Sequence, residues 1–197
     1  MILVDIDGVC LDLLGAIHDR NPLFVPDMVR AYDFSEGNYG ISQEEVMQYI
    51  VERETFELMQ PYRGVQYGLN MLSTLDTLKA WTYVPEYLAD IRTQQIIELG
   101  FTDFCVSVEY PKPMIVQGVW AVIEDNPQAL EAYKGTGVIR IMVRRSYNIK
   151  YKDADYTVAG LKEAYTVLRK VMVATNANKK SIFDFRSKRW GFFGGLS

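Results

Sequence analysis

Met1-Ile2-Leu3-Val4-Asp5-Ile6-Asp7-Gly8-Val9 is the stretch on which the reading of the fold turns. Ile2, Leu3 and Val4 form a short unbroken apolar run, the pattern of a strand buried on both faces of a parallel sheet. Extended geometry then places the carboxylates of Asp5 and Asp7 on the same side of the chain. Gly8 gives the backbone freedom to turn sharply off the strand end. Two acids at the carboxyl end of a central strand stand where open α/β sheets bind ligands. Such a pair repels itself unless a cation or a shared proton intervenes, and the simplest cation for oxygen donors is Mg²⁺.

Outward from this strand, Leu11, Leu14 and Ile17 fall at helical spacing. Ser42 and Glu45 form a capping box for a helix whose apolar positions, Val46 and Ile50, carry it on to the Gln60-Pro61 break. Residues 14–61 thus read as helix and loop, an insertion after the first strand. From Gly64 strand and helix alternate. Strands are expected at 78–84, 104–108, 120–123, 138–143 and 156–158. Helices are marked by Val65, Leu69 and Leu72, by Pro85, by Asn126-Pro127 and by an apolar face over 161–173. This alternation predicts an α/β fold with a mostly parallel, Rossmann-like sheet.

Composition narrows the function classes. The net charge of -4 argues against a dedicated nucleic-acid binder. Cys10 and Cys105 are only two, with no spacing that suggests a metal site or a disulfide framework, and a single histidine, His18, argues against His-clustered zinc and a Ser-His-Asp triad. No apolar run approaches a membrane span, and the N-terminus lacks a targeting pattern, so a soluble cytoplasmic protein is expected. Residues 174–197 form a basic, aromatic tail with Lys179, Lys180, Arg186, Lys188 and Arg189 among Phe183, Phe185, Trp190, Phe192 and Phe193. Five large aromatics seldom stay solvated, so the tail is expected to pack on the chain's own acidic body or on a second subunit in a homodimer.

Four strand ends carry polar groups that a parallel sheet brings to one edge: Asp5 and Asp7, Thr82, Lys112 and Glu124-Asp125. Carboxylates for Mg²⁺, a hydroxyl and an ammonium for phosphate oxygens, and an acid as nucleophile together suggest phosphoryl transfer.

Asp5-Ile-Asp-Gly-Val9, Thr82, Lys112-Pro113 and Glu124-Asp125 resemble the four motifs of the haloacid-dehalogenase-like (HAD) phosphatases. Within that superfamily the chain is most similar to the 5'(3')-deoxyribonucleotidases, through its Asp-Gly-Val, the helical insert after the first motif, Phe56-Glu-Leu-Met-Gln-Pro61 before Gly64, and Arg144-Arg-Ser-Tyr-Asn148. The resemblance implies a catalytic core of residues 1–13 and 62–173, a helical cap at 14–61, and a tail outside the match. It implies Asp5 as nucleophile and Asp7 as proton donor and acceptor, with its carbonyl on Mg²⁺. Thr82 and Lys112 would hold phosphoryl oxygens, and Asp125 with Glu124 would complete the metal site. Phe24, Tyr32, Phe34 and Tyr39 of the cap offer faces for a nucleobase. The expected substrate is a small phosphomonoester, above all a deoxynucleoside monophosphate, and a polynucleotide is not expected. The competing expectations are a sugar-phosphate phosphatase or phosphomutase, an enzyme of polynucleotide ends, and a non-catalytic binding protein on the same fold.

Overall fold

The structure is a computed structural model that describes residues 1–190, with side chains through residue 175. Six strands form one sheet in the order β3-β2-β1-β4-β5-β6, every pair parallel. They are β1 (Ile2–Val4), β2 (Leu78–Tyr83), β3 (Phe104–Ser107), β4 (Ala121–Glu124), β5 (Ile139–Val143) and β6 (Tyr156–Val158).

β1 lies at the centre because it is apolar on both faces. Ile2 and Val4 belong to one buried cluster and Leu3 to another, as strand alternation requires. The helices α4 (Val65–Ser73), α5 (Ala89–Glu98) and α7 (Leu161–Trp190) cover the first face, through Val65, Leu69, Leu72, Ile96, Leu161, Ala164 and Leu168. α6 (Pro127–Glu131) covers the second, where Leu130 joins Leu3, Trp81 and Met142. Each fully buried side chain of this size contributes about 1.5–3 kcal/mol.

The register fixes the site. Val4 is opposite Ala80 on one side and Ile123 on the other. The residues that follow each of these, Asp5, Trp81 and Glu124, therefore stand level at the carboxyl edge.

The chain between β1 and α4 carries α1 (Leu13–Arg20), α2 (Gln43–Ile50) and α3 (Arg53–Leu58) around a small core of their own: Leu14, Ile17, Phe24, Val29, Phe34, Tyr39 and Val46. The Ser42–Glu45 capping box forms. The single helix expected through to Gln60-Pro61 is instead two, because Glu52 adopts extended backbone, accepts from Gln48 at 2.8 Å, and pairs with Arg20. The two connections into this segment run side by side, Asp12 N donating to Gln60 O at 2.9 Å and Tyr62 N to Cys10 O at 3.0 Å.

The final helix also differs from the expectation. It runs from Leu161 to Trp190 rather than ending near residue 173, because residues 174–190 contain neither Gly nor Pro to stop it. The contacts expected of the tail's aromatics lie outside the described side chains.

Candidate active site

Asp5, Glu124 and Asp125 converge at the carboxyl edge. Their carboxylate oxygens lie within 4.8 Å of one another, and all three residues are buried. Lys112 reaches in from the segment after β3, with Nζ 2.5 Å from Asp5 Oδ1, 2.7 Å from Glu124 Oε2 and 3.2 Å from the Trp81 carbonyl. Its ammonium also lies 4.4 Å from the centre of the Trp81 ring, a cation–π contact that holds the flexible stem in place.

The turn after β4 builds the acidic pair. Glu124 Oε1 accepts from the backbone N–H of Asp125 and of Asn126, both at 3.1 Å. Asn126 in turn caps α6 by accepting from Gln128 N at 2.9 Å. Asn148 donates to the Asp125 carbonyl and to the Val143 carbonyl, each at 2.8 Å, and so ties the end of β5 to the site. The Tyr147 hydroxyl donates to Asp125 Oδ2.

One lysine among three buried carboxylates leaves the group short of positive charge. Burial, then the nearby Glu124 charge, raises the Asp5 carboxyl to about 8 despite Lys112. Asp125 is raised well above the usual carboxylate range by burial, then by Glu124 and Asp5. Burial alone would lower Lys112, but Asp5 and Glu124 more than offset it, so the ammonium stays charged.

Clustered hard oxygen donors of excess negative charge fit Mg²⁺. Gly8 adds to the fit: its φ is +69°, and a Cβ there would stand 1.9 Å from Asp125 Oδ2 and 2.5 Å from Tyr147 Oη. The backbone comes this close to the carboxylates only because no side chain intervenes.

Asp7 lies apart from the trio. Its Oδ1 accepts from Arg92 Nη2 at 2.6 Å. The strand ends at Val4, and the chain folds back on itself as Cys10 N and Leu11 N donate to the Ile6 carbonyl at 2.8 and 2.9 Å. Extended alternation therefore does not reach Asp7, and the expectation that both carboxylates face one way is corrected by this turn. Thr82 is buried on β2, opposite Val106, one residue beyond the Trp81 carbonyl that binds Lys112.

The insert's aromatics are arranged otherwise than the sequence suggested. Phe24, Phe34 and Tyr39 are 0%, 8% and 5% exposed and pack edge-on against each other inside the insert. Their faces are taken up by the small core. Tyr32, 41% exposed, instead meets Tyr147 at 5.7 Å between ring centres, next to Asp125. Beside it the insert touches the segment after β5 through Ser146 Oγ to Pro26 O at 3.1 Å and Lys150 to Glu36 at 2.6 Å.

Arg92, Tyr147 and Asn148 join the site without standing among the strand-end residues that the sequence marks, although Tyr147 and Asn148 lie in the Arg144–Asn148 stretch that carries the resemblance. Arg92 carried a signal, since Leu88, Arg92 and Ile96 recur every four residues along an inward stripe of α5. A charged residue on such a stripe marks a buried ion pair.

No family model and no curated protein sequence matches the chain. Solved structures do. One is a haloacid dehalogenase-like family hydrolase from Streptococcus pneumoniae, 15% identical at a TM-score of 0.56, covering 85% of this chain and 97% of that one. Another is a HAD phosphatase from Thermococcus onnurineus, 17% identical at 0.52, covering 85% and 96%. A third is an L-2-haloacid dehalogenase from Xanthobacter autotrophicus with chloropropionic acid covalently bound, 11% identical at 0.54, covering 85% and 97%. The chain therefore has the Rossmann-like fold of the HAD-superfamily hydrolases.

Proposed function

We propose that this chain is a Mg²⁺-dependent phosphomonoesterase that forms an aspartyl-phosphate on Asp5, with a deoxynucleoside monophosphate as its substrate. The observation that carries the reading is Asp5 at the end of β1, held 2.5 Å from Lys112 within the group of three acids. The fold shared with a HAD phosphatase supports it. A dehalogenase also shares the fold. Attack by a carboxylate on carbon, however, calls for no cluster of three acids suited to a cation, whereas a phosphoryl group brings further negative charge that must be offset.

In this reading, Asp5, Glu124 and Asp125 would hold Mg²⁺, and the Asp7 carbonyl would be a further donor. When bound there, Mg²⁺ supplies positive charge that offsets the carboxylates and the phosphoryl oxygens. Lys112 and Thr82 bind phosphoryl oxygens, and Lys112 orients Asp5 and draws its carboxyl down against the effect of burial. Asp5 attacks phosphorus, the bond to the leaving oxygen breaks, and Asp7 gives that oxygen a proton. Water then attacks phosphorus as Asp7 takes its proton, the bond to Asp5 breaks, and phosphate leaves. The insert acts as a cap that limits water and admits small esters.

Tyr32 is the insert aromatic that supports a nucleobase, since it is exposed and adjoins Tyr147. Burial of the other three favours a second reading, in which the same chemistry serves a smaller ester such as a sugar phosphate. A phosphatase screen over both classes, with and without Mg²⁺, tests the activity. Tyr32→Leu should lower kcat/KM for the nucleotide by about tenfold, the loss of ~1.4 kcal/mol of stacking, and leave an aryl phosphate little changed. A parallel fall in both would reject base stacking, and full activity in excess chelator would reject the metal.

A further inference from the structure

Arg92 is fully buried, 0% exposed, on a helix that otherwise supplies apolar side chains to the core. Nη2 donates to Asp7 Oδ1 at 2.6 Å. Nε and Nη1 have no hydrogen-bond acceptor among the described residues. The guanidinium lies 4.9 Å from the centre of the Phe56 ring and Nη2 lies 4.0 Å from Met59 Sδ. Gln95, one turn on, fixes that wall by donating to the Phe56 carbonyl at 2.6 Å. Among the described residues Asp7 is therefore the one carboxylate paired with Arg92. A guanidinium desolvated to this degree binds its one carboxylate strongly, and a rigid wall on its other side fixes where that carboxylate points.

Asp7 follows Asp5 by two residues and is partly exposed. A loose carboxylate beside a divalent-cation site is a ligand for the cation, and ligand charge count is what sets such affinities. A carboxylate bound to the cation is a weaker base and carries a proton poorly. Yet Asp7 is the residue of the turn whose carboxylate stands outside the group formed by Asp5, Glu124 and Asp125. We propose that Arg92 is a positioning residue that draws the Asp7 carboxylate away from those three acids, so that Asp7 serves proton transfer and does not become a further ligand of the cation. This rests on the reading of the acids as a metal site and of Asp7 as proton donor and acceptor.

The test compares the full-length wild type with Arg92→Gln, Arg92→Lys, Asp7→Asn and the Arg92→Gln/Asp7→Asn double variant, each checked for folding by circular dichroism. Mn²⁺ alone is titrated calorimetrically, and kcat and KM are measured separately. Arg92→Gln should bind Mn²⁺ about tenfold more tightly as Asp7 joins the site. Its kcat should fall about tenfold or more while KM moves little, the pattern of lost orientation. Arg92→Lys should restore part of kcat. In the Asp7→Asn background, Arg92→Gln should leave Mn²⁺ affinity within about twofold. Unchanged Mn²⁺ affinity in Arg92→Gln, or tightening that persists without the Asp7 carboxylate, would overturn the proposal. Should Arg92→Gln fail to fold, Asp7→Asn decides alone: affinity close to wild type supports it, and a large loss shows Asp7 already on the metal. Absence of Mg²⁺-dependent phosphatase activity in the wild type, with the Mn²⁺ results as expected, would reject the proposed reaction and Asp7's part in it, while Arg92's holding of Asp7 away from the cation would stand.

Discussion

Asp5 faces Glu124 and Asp125 from the end of β1, with Lys112 as its close cation, and burial sharpens their mutual repulsion. Asp5→Asn keeps the shape and removes both the nucleophile and one repelling charge. Turnover should fall by at least about 10³-fold, while the metal-free protein should melt at a higher temperature than wild type. Activity within tenfold of wild type would exclude Asp5 as nucleophile. Gly8 makes the opposite kind of demand, for absence of a side chain. Gly8→Ala would set a Cβ 1.9 Å from Asp125 Oδ2 at a φ of +69°. It should cost about 1–3 kcal/mol in stability and weaken Mn²⁺ binding, both readable by denaturant unfolding and calorimetry. Variants indistinguishable from wild type in both measurements would mean that the turn can open at no cost.

Between the strands, the acids act together through their shared edge. Asp5 titrates near 8 in the fold against 3.8 as its ordinary value, so folding favours its protonated form. The resulting stability is fully present below about pH 4 and is lost as pH rises toward 8. Asp125 is shifted in the same direction. The metal-free protein should therefore lose thermal stability between about pH 5 and 8, and added Mg²⁺ should raise the melting temperature more at pH 8 than at pH 5. A melting temperature that rises over this interval without metal would contradict the cluster's electrostatics. Some of these elements declare themselves locally. The Ser42–Glu45 box and the Asn126-Pro127 start need only three or four neighbouring residues to form their hydrogen bonds, and both stand where the pattern put them. The break at Glu52 does not, since it depends on Arg20, thirty-two residues earlier.

Across the molecule, α7 does two unlike things. Leu161, Ala164 and Leu168 are buried against α4 and the sheet, whereas Val173 is exposed. Among the described side chains of this helix, the buried core contacts thus extend to Leu168. Deleting residues 177–197 should leave kcat/KM within about twofold and the melting temperature nearly unchanged. A truncated protein that folds but loses turnover would show that this segment contributes to the site.

Periodicity and turn chemistry are local properties, so the sequence alone determined the alternating strands and helices, the insertion after β1 and the identity of Asp5, Lys112, Glu124 and Asp125 as candidates. Ile2-Leu3-Val4 required burial on both faces, and that requirement by itself places β1 inside a parallel sheet. Contacts between distant residues carry no such local signature. Only the tertiary structure decided that Asp7 leaves the trio for Arg92, eighty-five residues away, and that Tyr147 reaches Asp125. It also decided that Phe24, Phe34 and Tyr39 face one another and not a ligand, leaving Tyr32 at the seam. An aromatic side chain reads the same in sequence whether its face is met by a neighbour or left open, and packing settles which.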